Sequence, residues 1–170
     1  MSRAFTTALL FLALLPGAIA QTKPPSVEAR LQRLEDLEEI RTVLLNYGRF
    51  LDARDFASYS RLFAKDGEWV GGFGTVQGPA AIKAFMEKSI PGPNTAHNYH
   101  LLSNFEIEVH GDTATAWSRW AFVVPGPDNK PAMAQGGHYD DTLIREAGHW
   151  KFKRRVASTD LPSSGPVQTK

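Results

Sequence analysis

The chain contains no cysteine, so no disulfide can brace it and no thiol can act as nucleophile or metal ligand. It also has almost no net charge. With 19 Lys and Arg against 18 Asp and Glu, nothing in its electrostatics argues for nucleic acid or an anionic membrane as partner. Long hydrophobic runs are missing except at the N-terminus, where "ALLFLALLPG" (Ala8 to Gly17) is shorter than the roughly 20 residues a bilayer crossing needs. Five histidines are present, but none falls in an H-x-x-x-H or H-E-x-x-H pattern. His97 and His100 alone supply two ligands at most, so no metal site is expected. Gly71-Gly72-Phe73-Gly74 has no Lys-Ser/Thr behind it and is expected to bend a sheet rather than to cradle phosphate.

What the N-terminus does have is Met1-Ser2-Arg3, the apolar run, and Ala18-Ile19-Ala20 before Gln21. This is the layout of a secretory leader over residues 1–20. The expectation is an exported product, periplasmic or secreted, without membrane attachment after cleavage. Loss of Arg3 leaves 18 basic against 18 acidic residues, and what remains has the length of one domain.

Residues 21–33 form a polar lead and a helix start, where Ser26 is placed to cap a helix from Val27. Leu34, Leu37, Ile40, Val43, Leu44, Tyr47 and Leu51 recur at three- and four-residue steps, one amphipathic helix to about Leu51. Asp55 then caps a short helix expected to run through Phe56, Tyr59 and Phe63 and to stop at an Asp66-Gly67 turn. Glu68 to Gln77 reads as two short strands around glycines, and Gly78-Pro79 opens a third helix through Ile82, Phe85 and Met86. Beyond it, Tyr99–Val109, Thr113–Val124, Ala134–Arg145 and Trp150–Ala157 are rich in β-branched and aromatic residues and separated by turn signals. The polar, proline-containing residues 159–170 are expected to form a loose tail. The class is α+β, with helices covering one face of a bent sheet and leaving a cone-shaped cavity.

Four segments then resemble a known family: "EEIRTVLLNYGRFLDARDFASYSRLFAKDGEW" (Glu38 to Trp69), "GPAAIKAFM" (Gly78 to Met86), "HLLSNFEIEVHGDTATAWS" (His100 to Ser118) and "GGHYDDTLIREAGHWKFKRR" (Gly136 to Arg155). They resemble the SnoaL-like group of the nuclear transport factor 2-like superfamily, related to scytalone dehydratase and bile-acid dehydratases. The resemblance covers residues 34–158. It implies a cone-shaped α+β barrel, three N-terminal helices packed on a strongly curved, mixed, mostly antiparallel sheet. Since the superfamily holds dehydratases, isomerases, cyclases, hydrolases and binding domains, it fixes no single activity.

At about 100° per residue, Tyr47 falls among Val43, Leu44 and Leu51, while Asp52 sits at the edge of that apolar arc. A carboxylate there must find a donor or lie solvated at a frayed helix end. Arg41 shares its stripe but is three turns away, about 16 Å. In the dehydratases that the chain resembles, an aspartate at the position of Asp52 bonds a histidine at the position of His100, and in some a tyrosine at that of Tyr47 completes the group. Such a set suits proton transfer without a cofactor: the carboxylate fixes one imidazole nitrogen, the other takes a proton, and the phenol donates to oxygen. A histidine in a polar strand entry is otherwise a surface or hydrogen-bonding residue.

Strand alternation puts His100 and Leu102 on the opposite parity from Phe105, Ile107 and Val109, so both sets reach one face only through a bulge near Ser103-Asn104. Scytalone dehydratase has a second histidine on the strand that here reads "AWSRWAFVV"; this chain has none there, leaving His138 and Tyr139 as candidate replacements, with an exposed His138 the other reading. Trp69, Phe73, Leu102, Trp120, His138 and Tyr139 are the expected pocket residues. The resemblance thus implies a cofactor-independent lyase or isomerase acting on a small, largely apolar, oxygenated molecule. The alternative is a binding module using the same cavity, and the sheet face is an expected homodimer surface.

Overall fold

The computed structural model describes residues 24–95 and 97–162; the expected leader, residues 21–23 and the tail beyond 162 lie outside the described residues. Helix α1 spans Val27–Asp52, and the Ser26 hydroxyl accepts from the Ala29 N–H at 3.2 Å to open it. Its buried stripe of Ile40, Val43, Leu44, Tyr47, Gly48 and Leu51 follows the helical repeat. Gly48 lets the helix lie close to the sheet: a Cβ there would lie 2.8 Å from Leu102 Cδ1, which would have to move aside.

Helix α2 spans Phe56–Arg61, with Asp55 accepting from the Ser58 N–H at 2.9 Å. It stops short of Phe63, which the apolar spacing places in it. Phe63 instead begins strand β1, Phe63–Gly71, and pairs with Phe152 of the last strand. The Phe152 N–H donates to the Leu62 carbonyl at 2.8 Å, so a partner some ninety residues away ends the helix. Asp66-Gly67 consequently lies inside β1, where the pairing register shifts between Phe63 and Glu68, rather than closing a helix.

Strand β2, Gly74–Gln77, folds back on β1 through Gly72-Phe73, and helix α3, Pro79–Ser89, follows with proline in its first turn. The remainder is a meander of β3 (Tyr99–His110), β4 (Thr113–Pro125), β5 (Pro131–Glu146) and β6 (His149–Leu161). β6 takes in residues 159–161, which their polar, proline-flanked sequence assigns to the tail.

The strand order is β2-β1-β6-β5-β4-β3. β1 runs parallel to β6 and every other pair is antiparallel, so the sheet is mixed and mostly antiparallel, as the family resemblance implies. It does not close on itself: β2 and β3 are its edges, and the three helices complete the cone-like fold. The β3 register shifts between Ser103 and Glu106, with Asn104 at φ 54°. This is the bulge that the parity argument calls for, and it leaves His100 and Leu102 half-buried on the same side as Phe105, Ile107 and Val109. Between helices and sheet lies a core dominated by aromatics, with Tyr47, Tyr59, Phe63, Trp150 and Phe152 almost fully buried. Each such side chain contributes about 1.5–3 kcal/mol relative to exposure.

Candidate functional site

One end of this core opens into a cavity of ≈ 410 Å³, within the range of roughly 300–1,000 Å³ typical of small-molecule sites. Its floor is buried and aromatic, built from Tyr47, Tyr59, Trp69 and Tyr139 with Met86. Its mouth passes between the exposed β1–β2 turn, Gly72 and Phe73, and the exposed Gln135 and Thr159 of β5 and β6.

His100 stands on the wall of this cavity. The last residue of α1, Asp52, grips it twice: Oδ1 lies 2.6 Å from the ring Nδ1, and Oδ2 accepts from the His100 backbone N–H at 2.8 Å. Asn94 ties the approach to β3 to the same helix end, donating to the backbone carbonyls of Asp52 at 3.0 Å and Asn98 at 2.7 Å. The imidazole packs beside Phe122, centroids 4.9 Å apart. With an ionised carboxylate on Nδ1, that nitrogen carries the proton and Nε2 keeps its lone pair. Both side chains remain partly accessible, 14% for His100 and 19% for Asp52, which leaves the pair open to a molecule in the cavity.

Tyr47 reaches the floor from α1, and its hydroxyl accepts from Trp69 Nε1 at 2.9 Å. An indole N–H can only donate, so the phenolic proton of Tyr47 stays free to be given elsewhere. Tyr59 and Tyr139 flank the Tyr47 ring at centroid distances of 4.8 Å and 5.3 Å. Burial, and then the neighbouring Tyr47, push both their hydroxyls well above the ordinary phenol range, so they are neutral. The Tyr59 hydroxyl has no hydrogen-bond partner among the described protein atoms.

Beneath this floor sits Arg155, fully buried, its guanidinium 4.0 Å from the Tyr47 ring centroid, 4.1 Å from Tyr139 and 4.2 Å from Phe152. Asp141 receives it in a bidentate pair, both bonds 2.7 Å. Burial pushes the Asp141 carboxyl up and the adjacent guanidinium opposes that. The guanidinium stacks under three electron-rich ring faces while Asp141 balances its charge, so the pair braces the aromatic floor from below.

Residues 32–156 match the SnoaL-like domain. The chain belongs to the SnoaL-like family. It is 30% identical to an uncharacterized protein of Mycobacterium tuberculosis over 128 residues, 72% of this chain and 84% of that one. Among solved structures it is similar to an NTF2-like protein with a cystatin-like fold from Novosphingobium aromaticivorans, at 29% identity and TM-score 0.71, over 81% of this chain and 90% of the other. It shares its fold with a hexachlorocyclohexane dehydrochlorinase, LinA-type3, from Novosphingobium barchaimii, at 20% identity and TM-score 0.66, over 77% and 90% of the two chains.

Within this SnoaL-like domain the candidate residues separate into two groups. Tyr47, His100, Trp69, Phe73, Trp120 and Tyr139 line the cavity, with Asp52 behind His100. Leu102 and His138 do not. Leu102 shares the face of His100, but it packs against Gly48 of α1. His138 neighbours Tyr139 on one strand, and adjacent strand residues point to opposite faces. Its ring stacks on Trp117 and bonds Asp160 at 2.9 Å on the far side of the sheet, so it replaces no cavity histidine.

Arg155, Asp141, Tyr59 and Arg54 escaped the sequence reading. For Asp141 the signal lay in its alternation with Tyr139 and Leu143, which puts an acid on the inward face. For Arg155 alternation misleads. From Trp150 and Phe152 it points Arg154 inward, but a register shift between Phe152 and Arg154 turns Arg155 in instead.

Proposed function

We propose that this SnoaL-like domain catalyses cofactor-independent proton transfer, as a lyase or isomerase, on a small, largely apolar, oxygenated molecule. The observation that carries the reading is the double grip of Asp52 on His100 at the cavity wall. An imidazole so held has one tautomer and one ring orientation, and its Nε2 can remove a proton from a carbon beside a carbonyl or a leaving group. Asp52 stabilises the imidazolium that forms. Tyr47, its oxygen already accepting from Trp69, gives its proton to the substrate oxygen, and donation strengthens when the same hydroxyl accepts. The fold also carries a dehydrochlorinase, by its name an eliminating enzyme, which is consistent with abstraction from carbon.

Surrogate substrates suffice for the test. Small aryl ketones and β-hydroxy ketones are incubated with the protein in D₂O, and deuterium entry beside the carbonyl is followed by NMR. The wild type is expected to accelerate exchange or elimination for at least one compound. His100→Gln should reduce that rate by at least the ~10²-fold typical of general acid–base catalysis, and Asp52→Asn should also lower it while the fold persists. Compounds that calorimetry shows to bind, yet that neither exchange nor eliminate after long incubation, would instead make the cavity a binding site without chemistry.

A further inference from the structure

The charged groups along the cavity are few and their partners differ. The carboxylate nearest to it, Asp52, spends both oxygens on His100. Arg54 also lines the cavity, beside Leu51 and Ser89. It follows α1 in the left-handed conformation, φ 58°, and its Nη1 donates to the Leu51 carbonyl at 2.8 Å. That bond fixes the guanidinium plane but does not neutralise it. Among the described residues no carboxylate oxygen lies within 4.0 Å of Arg54, whereas Arg145 and Arg155 each have one, at 2.6 Å and 2.7 Å. The Nε of Arg54 is buried and meets no protein acceptor. With Nε shut off and Nη1 on the Leu51 carbonyl, Arg54 offers the cavity an unneutralised positive charge with Nη2 as its remaining donor.

We propose that the cavity accepts amphipathic carboxylic acids, the acid head held by Arg54 and the apolar body lying over the aromatic floor. This rests on the reading of the cavity as a ligand site, and it does not require His100 to move a proton. The same end of α1 then supplies both devices: Asp52 holds the imidazole, and two residues later Arg54 holds the substrate, so an acid bound by its head presents its carbon chain to His100.

The experiment compares 4-phenylbutyrate with 4-phenylbutyramide by calorimetry at pH 8, a pair alike in body and differing in the charge of the head. The wild-type protein is expected to prefer the acid at least about tenfold, the ratio set by one hydrogen bond to a charged partner. Arg54→Gln, which removes the charge, should bring the ratio close to one. Arg54→Lys, which keeps the charge on a differently shaped head, should give an intermediate value, and His138→Gln, on the far face of the sheet, should keep the full preference. Equal affinity for the pair in the wild type, binding of neither, or a preference that survives Arg54→Gln overturns the proposal. Should Arg54→Gln fail to fold, as judged by circular dichroism, the wild-type ratio and the Lys variant decide. Preference for the acid without any turnover would retain this inference and remove the catalytic one, and exchange without preference would do the reverse.

Discussion

Tyr47 holds two positions at once, core residue and cavity residue. Its ring packs against Tyr59, Tyr139 and Phe152, while its hydroxyl meets Trp69 across the floor. Replacing it with phenylalanine keeps the ring and leaves the Trp69 N–H without an acceptor in a buried setting. A stranded donor of this kind costs about 1–3 kcal/mol. Tyr47→Phe should accordingly lower the urea midpoint of unfolding with the m-value unchanged, since the exposed surface on unfolding stays the same. If the hydroxyl also donates in the reaction, the variant loses rate in the D₂O assay beyond what its stability explains, with His100 and Asp52 still paired. The residue was identifiable from its helical position. Its partner Trp69 was expected in the pocket, but the bond between them depends on how β1 lies against α1, which no local pattern encodes.

At the scale of elements, β3 depends on one residue. Asn104, at φ 54°, lets His100 and Leu102 share a face with Phe105, Ile107 and Val109. Asn104→Val, whose β-branched side chain disfavours a positive φ, works against the bulge, and simple alternation without it forces one of the two groups out of the interior. The expected result is either loss of the Asp52–His100 contact or exposure of three apolar side chains, at a cost of several kcal/mol. Histidine NMR titration and urea unfolding distinguish the two. Elements defined by local chemistry were legible: α1 from its repeat and Ser26, α3 from Gly78-Pro79, the meander from its turns, and the bulge from a parity conflict. The end of α2 was not. Phe56, Tyr59 and Phe63 fit a helical stripe, and only the parallel pairing of Phe63 with Phe152 overrides it. The Arg155–Asp141 pair escaped for a related reason, since "DD" and "RR" on strands read as solvated charge unless the bulge between them is known.

Across the whole molecule, the groups that join distant segments set the response to acid. The Asp36 side chain on α1 is nearly buried and receives Arg145 of β5 at 2.6 Å, Trp150 of β6 at 3.3 Å and Gln32 at 3.1 Å. Burial alone would raise its carboxyl; those donors outweigh it and hold the group below the ordinary carboxylate range. A depressed value in the folded state means that the unfolded chain takes up the proton first as pH falls. The stability Asp36 contributes is thus complete above an unfolded value of about 3.9 and is lost as pH drops through the lower folded value. Thermal unfolding should hold a plateau at neutral pH and decline below about pH 4. Asp36→Asn should lower the plateau and flatten part of that decline.

The bulge in β3 also has a consequence for life among other chains. β3 is a twelve-residue edge of an open sheet, and its outward N–H and C=O groups form a template on which a second strand could dock. Straight edges of that length invite end-to-end ribbon growth, and proteins blunt them with kinks and charges. Asn104 breaks the template near its middle, and Glu106 and Glu108 put negative charge on the half beyond it. The device that turns His100 toward the cavity therefore also spoils the open edge as a docking template.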